Sequence, residues 1–209
     1  MKLEDKTTDI QHELLRRKPG SLPKWGADGD YGNEMADALL KELAIAPKPA
    51  GGDTGLVTGK AKNIKRIFIH CSATREGQDI DAATIRKWHK NQGWRDIGYH
   101  FVIKLDGTVE PGRPEHITGS HARGYNTGSV AMVYVGGLDS AGKPKDTRTP
   151  EQLKAMAGLT QELLNAYPGS DLLGHRDISP DKDGDGKIEP HEFIKACPCF
   201  DVKTWWSGI

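Results

Sequence analysis

Hydrophobic positions in the first 46 residues recur every three or four residues, which is typical of amphipathic helices. Two such stripes occur, formed by Ile10, Leu14 and Leu15, then by Met35, Leu39, Leu40 and Leu43. Residues 47–63 hold two prolines and four glycines without a sustained period, which is typical of a linker. The pattern therefore predicts a small helical module at residues 1–46, a linker at 47–63 and a separate domain from residue 64.

From residue 64 onward the pattern alternates between strand and helix periods. Runs of β-branched and aromatic residues predict strands, and apolar stripes after a capping residue predict helices. The predicted elements are a strand at 64–71, a helix from Asp81 or Thr84, a hairpin at 99–113, a strand at 129–135, a helix opened by Pro150 and closed by Pro168-Gly169, and a strand at Leu172-Leu173. We therefore predict that residues 64–209 form an α/β domain, a sheet covered by helices.

Composition and charge exclude several classes of protein. The 209 residues contain 29 Lys plus Arg and 29 Asp plus Glu, so the formal net charge is zero, which argues against a nucleic-acid partner. The mean hydropathy is −0.61 and no apolar run of about 20 residues occurs, so membrane insertion is not expected. The first residues lack the apolar stretch of a signal peptide, so we expect synthesis in the cytoplasm. We also expect the protein to be a monomer.

Three residues that favour metal binding occur near predicted strand ends or close to the carboxyl terminus. His70 ends the first predicted strand, His175 follows the last one, and Cys197 lies in the string Lys195-Ala196-Cys197-Pro198. Two imidazoles and a thiolate are a common ligand set for catalytic zinc, whose fourth position is left for water. The spacing alone leaves rivals open, notably His100 and His121.

The strings around these residues resemble one enzyme family. They are Ile69–Thr74, Trp88–Lys90, Gly93-Trp94, Gly98–Phe101, Asp106–Val109, Gly119–Ala122, Gly124–Asn126, Val135–Gly137 and Ala196–Pro198. In this order they closely resemble the zinc-dependent N-acetylmuramoyl-L-alanine amidases of the coliphage lysozyme type, which are related to the peptidoglycan recognition proteins. The resemblance covers nearly all of residues 64–209 and implies a mixed central sheet flanked by helices.

The resemblance also implies roles for individual residues. Zinc ligands would be His70, His175 and Cys197, and catalytic residues would be Tyr99 and Lys195. Zinc would activate water to hydrolyse the amide between N-acetylmuramic acid and L-alanine. Lys195 would stabilise the developing oxyanion, and Tyr99 would hold the nucleophile or pass a proton, with the identity of the general base left open.

Further roles concern residues around this implied site. The loop that carries His121, Arg123 and Asn126 resembles one that borders the family's groove, so these three residues are candidate substrate contacts. His100 would orient a neighbouring residue rather than bind the metal. The remaining cysteines, Cys71 and Cys199, are expected to be structural.

The amino-terminal module resembles the small helical peptidoglycan-binding domains found beside cell-wall hydrolases. The resemblance rests on Ile10-Gln11, Leu14-Leu15, the turn at 28–32, and Ala36, Leu39 and Leu40. The alternative is a helical appendage that packs on the catalytic domain.

A second metal motif lies between two of the implied zinc ligands. Residues 181–192 match the twelve-residue EF-hand calcium loop. Its expected ligands are Asp181, Asp183, Asp185, the carbonyl of Lys187, Glu189 and Glu192. Ser179-Pro180 leaves no room for an entering helix, so we expect weak, structural calcium binding. Calcium would then neutralise the carboxylates and close the segment that carries Lys195 and Cys197.

These observations predict a phage endolysin that binds peptidoglycan and acts on the wall, in the periplasm, after release from the host cytoplasm. The alternative is a non-catalytic peptidoglycan recognition protein of the same fold, although the presence of Cys197, Tyr99 and Lys195 favours an enzyme. A prophage or autolysin origin stays open. A calcium sensor is a more distant reading, because a single loop lacks the helix pair that opens.

Overall fold

A computed structural model describes residues 54–209 of the chain. The helical module predicted at 1–46 and the first part of the linker lie outside the described residues. The described part of the linker has no regular secondary structure, but it is tied to the domain. Thr58 donates two hydrogen bonds to Glu115, from its N–H at 2.6 Å and its hydroxyl at 2.7 Å, and the Tyr167 hydroxyl donates to the other carboxylate oxygen.

The domain is built on a five-stranded mixed sheet. Its strands are β1 (Arg66–Cys71), β3 (Phe101–Ile103), β4 (Val109–Pro111), β5 (Ser129–Tyr134) and β7 (Asp171–Gly174), in the order β4-β3-β5-β1-β7. Only the β3–β4 hairpin is antiparallel, and the other pairs are parallel. The predicted mixed sheet flanked by helices is therefore confirmed.

Helices lie on both faces of this sheet. They are α1 (Ala82–Asn91), capped by Asp81, and α2 (Pro150–Ala166), capped by Thr149. Val102 and Val133 pack with Ile85 of α1, whereas the neighbouring Met132 contacts Thr160 of α2 on the opposite face. Because successive side chains of a strand point to opposite faces, β5 is buried on both sides, which explains its unbroken apolar sequence.

Four small elements were not predicted from the sequence. β2 (Thr74–Arg75) and β6 (Gly137–Leu138) form a two-stranded parallel sheet, a 3-10 helix covers His175–Ile178, and α3 (Val202–Ser207) ends the domain. None of the helices in residues 54–209 combines the length and the hydrophobicity that a membrane-spanning helix needs.

Candidate metal centre

Two histidines meet because of the sheet register. β1 and β7 are parallel neighbours in which Ile69 pairs with Gly174, so the next residues, His70 and His175, come out side by side. The carboxyl ends of parallel strands are where α/β proteins commonly form their sites. The two Nδ1 atoms are 3.1 Å apart and both rings are buried.

A cysteine from the carboxyl-terminal segment completes the group. The Arg176 N–H, next to His175, donates to the Cys197 carbonyl at 2.8 Å, which holds the two ligand-bearing segments together. The Cys197 sulfur lies 3.6 Å from the Nδ1 of His70 and accepts a hydrogen bond from the Cys71 N–H at 3.3 Å.

His70, His175 and Cys197, here called the triad, each offer one donor atom, and these atoms lie within 4.8 Å of one another. Burial, together with the neighbouring His121, His175 and Lys195, lowers the pKa of His70 well below its usual range. Burial and the charge of Lys195 lower the pKa of His175 to about 4. Both imidazoles are therefore neutral at pH 7, the form in which they bind metals.

Tyr99 and Lys195 both lie beside the triad. The Tyr99 ring centroid is 5.2 Å from that of His70. Burial and the nearby Cys197 and Cys71 thiols raise the pKa of Tyr99 above its usual value, so its phenol carries its proton. Lys195 is exposed, yet its ammonium is close enough to lower the pKa of both triad histidines.

The loop at 119–126 brings His121 into the interior rather than into solvent. His121 is 8% exposed, and its ring lies over Phe68, with the centroids 5.4 Å apart. Its Nδ1 is 3.1 Å from the Nε2 of His70, and its Nε2 is 3.1 Å from the Ser129 hydroxyl. Gly119 permits this approach, because a Cβ there would lie 2.7 Å from the His121 ring.

The other two candidate substrate residues of this loop differ from each other. The Asn126 amide oxygen accepts from the N–H groups of His121 and Ala122, both at 2.8 Å, so it shapes the loop. Arg123 is exposed. Substrate contact by His121, Arg123 and Asn126 stays a prediction.

The rival histidine His100 binds backbone rather than a metal ligand. Its Nδ1 accepts from the Ala131 N–H at 3.0 Å, and its Nε2 lies 3.1 Å from the Ile117 carbonyl. An orienting role of His100 toward a neighbouring residue stays a prediction, and the histidine that contacts a triad residue through a ring nitrogen at 3.1 Å is His121. In the sequence, Gly119 was the signal for this contact, because a residue without a side chain leaves room for the His121 ring.

Cys71 and Cys199 pair with each other beside the triad, where their sulfur atoms are 3.9 Å apart. Hydrogen bonding with Cys197 and burial raise the pKa of Cys71 to about 12. Both sulfurs approach Gly137, where a Cβ would lie 2.5 Å from that of Cys71. The contacts are those of packed thiols, in keeping with the expected structural role.

Residues 181–192, here called the acidic loop, form turns, and no α-helix directly precedes or follows them. Oxygens of Asp181, Asp183 and Asp185 lie within 4.8 Å of one another, and a second group joins Asp183, Glu189, His191 and Glu192. Glu192 is fully buried, and its carboxylate accepts from the N–H groups of Lys182 and Glu189. The buried Oε2 atom of Glu189 has no hydrogen-bond partner among residues 54–209. His191 was not among the predicted ligands.

The acidic loop is also closed at its base. The Ile194 N–H donates to the Ser179 hydroxyl at 3.1 Å, and the Arg176–Cys197 hydrogen bond lies just beyond. The two chain segments that enter and leave the loop are therefore held together independently of the loop's own carboxylates.

Comparison with known proteins places residues 60–192 in the family model described as N-acetylmuramoyl-L-alanine amidase. The chain is 45% identical to the endolysin of Klebsiella phage KP32 over 148 residues, which cover 71% of this chain and 89% of that one. It is 46% identical to the endolysin of Escherichia phage T7, covering 68% and 84%. Among solved structures, the N-acetylmuramoyl-L-alanine amidase LysC from Clostridium intestinale URNW matches with 29% identity and a TM-score of 0.52, covering 68% and 80%.

Proposed function

The chain belongs to the N-acetylmuramoyl-L-alanine amidase family, and from that premise we propose that it is a zinc-dependent phage endolysin. Its reaction is hydrolysis of the amide between N-acetylmuramic acid and L-alanine in peptidoglycan. The observation that supports zinc is the triad, in which two neutral imidazoles and a thiol converge within 4.8 Å. That donor set suits zinc and leaves a fourth position for water.

The residues around the triad supply what the metal does not. When bound, zinc provides Lewis-acid activation of water and of the scissile carbonyl. Lys195 places a positive charge near His175, where it can stabilise the oxyanion that develops during hydrolysis. Tyr99, with its phenol protonated, orients substrate or nucleophile as a hydrogen-bond donor.

The test is the chemistry of the products. Digestion of purified peptidoglycan is expected to release new L-alanine amino termini without new reducing sugar ends, as mass analysis of the muropeptides would show. New reducing ends alone would mean that the glycan is cut. Binding without any cleavage would favour the alternative, a non-catalytic peptidoglycan recognition protein.

Residues 1–46 are proposed as a wall-binding module joined by the linker at 47–63. The support is the resemblance of their sequence to small peptidoglycan-binding domains. Deleting residues 1–46 is expected to weaken binding to whole walls more than it slows cleavage of a small soluble muropeptide. Equal losses would mean that the segment supports the catalytic domain instead. The enzyme is proposed to act as a monomer in the periplasm, after release from the cytoplasm where it is made.

Calcium binding at the acidic loop is the last part of the proposal. Asp181, Asp183 and Asp185 supply oxygens from one side, and Glu189 and Glu192 from the other. The free oxygen of Glu189 suits a hard cation, and burial beside Asp185 and Asp183 raises the pKa of this carboxyl. A bound cation would compensate the negative charges of these neighbouring carboxylates.

A further inference from the structure

His70 has both ring nitrogens engaged, and only one of them faces the triad. Its Nδ1 points to His175 and Cys197, whereas its Nε2 lies 3.1 Å from the Nδ1 of His121. An imidazole can bind a metal through Nδ1 only if the proton of the neutral ring sits on Nε2. Whatever faces Nε2 therefore decides whether His70 is ready to bind.

A neighbouring histidine is an ambiguous partner, because each neutral imidazole can donate or accept at either nitrogen. Two facing rings alone leave the position of the proton undetermined. The ambiguity must be removed at the far side of His121, where its Nε2 lies 3.1 Å from the Ser129 hydroxyl. Ser129 is 2% exposed, so water does not compete for this contact.

The backbone at Asn126 removes the ambiguity. The Ser129 hydroxyl donates to the Asn126 carbonyl at 2.9 Å, and a carbonyl oxygen can only accept. Since the only hydrogen of the Ser129 hydroxyl is donated to this carbonyl, the Ser129 oxygen must act as the acceptor for the Nε2–H of His121. The Nδ1 of His121 then carries a lone pair, so the His70 Nε2–H donates to it. The Nδ1 of His70 is left bare and faces the other triad atoms.

We propose that Ser129 and His121 form a relay that sets the tautomer and ring orientation of His70, so that its Nδ1 is presented to the metal. This inference rests on the zinc site proposed above. His121 is thereby a positioning residue, since both of its nitrogens are used inside the protein and its ring is buried against Phe68. The relay crosses from β5 to β1, because Ser129 and His70 lie on the same face of adjacent strands.

The relay is tested by replacing His121 with two side chains of similar size. In His121→Asn the amide oxygen can accept from His70, whereas in His121→Leu nothing can. The dissociation constant for Zn²⁺, measured with the full chain against a chromophoric chelator, is expected to rise about 10- to 100-fold in His121→Leu. His121→Asn should stay nearer the wild type, and the exposed His116→Leu should leave zinc affinity unchanged. Equal zinc affinity in wild type and His121→Leu, or equal losses in the Asn and Leu variants, would overturn the relay.

A second measurement does not need zinc. Long-range proton–nitrogen correlation spectra of the metal-free full chain report the tautomer of each imidazole, and both His70 and His121 are expected to be protonated at Nε2. Ser129→Ala is expected to populate the other tautomer of His121. A His70 protonated at Nδ1 in the wild type would refute the relay. If the wild type fails to bind zinc while the tautomers are as expected, the proposed zinc site fails and the relay stands.

Discussion

The triad and the acidic loop are both candidate metal sites, but they are assembled in opposite ways. The triad collects His70, His175 and Cys197 from distant parts of the chain, and their donor atoms meet only because the sheet register brings them together. The acidic loop takes its oxygens from twelve consecutive residues, and its backbone turns are local. A site of the first kind depends on the whole fold, whereas a site of the second kind depends on its own sequence.

The two sites also differ in charge and solvent exposure. The triad histidines are buried and neutral, so they meet without repulsion. The acidic loop gathers carboxylates of like charge, and Asp181, Asp183 and Asp185 are exposed. The triad therefore brings no like charges together, whereas the acidic loop places several carboxylates of the same charge close to one another. Four predictions test this difference, beginning with the largest effect.

Removing a triad ligand is expected to abolish the site. His175→Ala leaves two donors, so zinc is lost and amidase turnover falls to background, while the sheet stays folded because the ring lies beyond the end of β7. Metal analysis, turnover and circular dichroism check the three parts. The exposed His116→Ala is the control and should keep both metal and turnover. Full zinc occupancy in His175→Ala would contradict the assignment of this ligand.

Removing the neighbouring charge is expected to separate catalysis from metal binding. Lys195→Ala should lower turnover about 100- to 1000-fold, the usual cost of losing one group that stabilises an oxyanion. Zinc content should stay at one per chain, because no triad atom is changed. Lys154→Ala, an exposed lysine of α2, should leave turnover unchanged. Loss of zinc from Lys195→Ala would show that the lysine supports the metal site instead.

Acid is expected to destabilise the metal-free triad. The pKa of His175 is lowered to about 4 and that of His121 to about 3 in the folded protein, against 6.5 for an ordinary histidine. Below pH 6.5 the unfolded chain therefore binds protons that the folded chain does not. The free energy of unfolding should fall as pH drops from 6.5 toward 4, by up to about 1.4 kcal/mol per pH unit for each histidine.

Urea denaturation of chelator-treated protein between pH 7 and 5 measures this slope. It should be shallower in His175→Ala, which has lost one of the titrating groups, and unchanged in His116→Ala. A slope equal in all three proteins would mean that His175 does not contribute to the pH dependence of stability.

Calcium is expected to give the smallest effect, on stability. With a dissociation constant of ~10⁻⁴ M, calcium at about 100 times that concentration adds about 2.7 kcal/mol. That gain raises the melting temperature by roughly 5–10 °C for a chain of this size. Asp181→Ala should lose the shift, whereas Asp79→Ala, outside the acidic loop, should keep it.

A chelator that spares zinc, used in parallel turnover assays, tests whether calcium also closes the segment that carries Lys195 and Cys197. If calcium changes neither the melting temperature nor the turnover, the proposal that calcium closes this segment is wrong.

Sequence patterns predicted the elements of the fold better than their arrangement. The buried strands Arg66–Cys71 and Ser129–Tyr134 were evident because their apolar runs have no polar alternation. The strand order β4-β3-β5-β1-β7 could not be predicted from the sequence, because it depends on pairings between residues far apart in the chain. The two-residue strands β2 and β6 are too short to leave a periodic signal.

The same distinction applies to the site. The acidic loop could be recognised from its own spacing, whereas the triad needed the resemblance to a family. The contact of His121 with His70 was missed, because it joins two residues that lie 51 positions apart in the chain. Likewise, the guanidinium carbon of Arg148 lies 3.4 Å from the centroid of the Phe200 ring. The two residues are about 50 positions apart, so no local sequence pattern predicts this contact.

The hydrogen bonds at the base of the acidic loop have a consequence for engineering. Because the Ile194 N–H meets the Ser179 hydroxyl and Arg176 meets Cys197, residues 180–193 leave and re-enter the domain at one place. Chain ends that lie close together at the surface are those that tolerate the insertion of foreign sequence. A short foreign peptide inserted among the exposed residues 182–187 is therefore expected to leave the Arg176–Cys197 hydrogen bond in place.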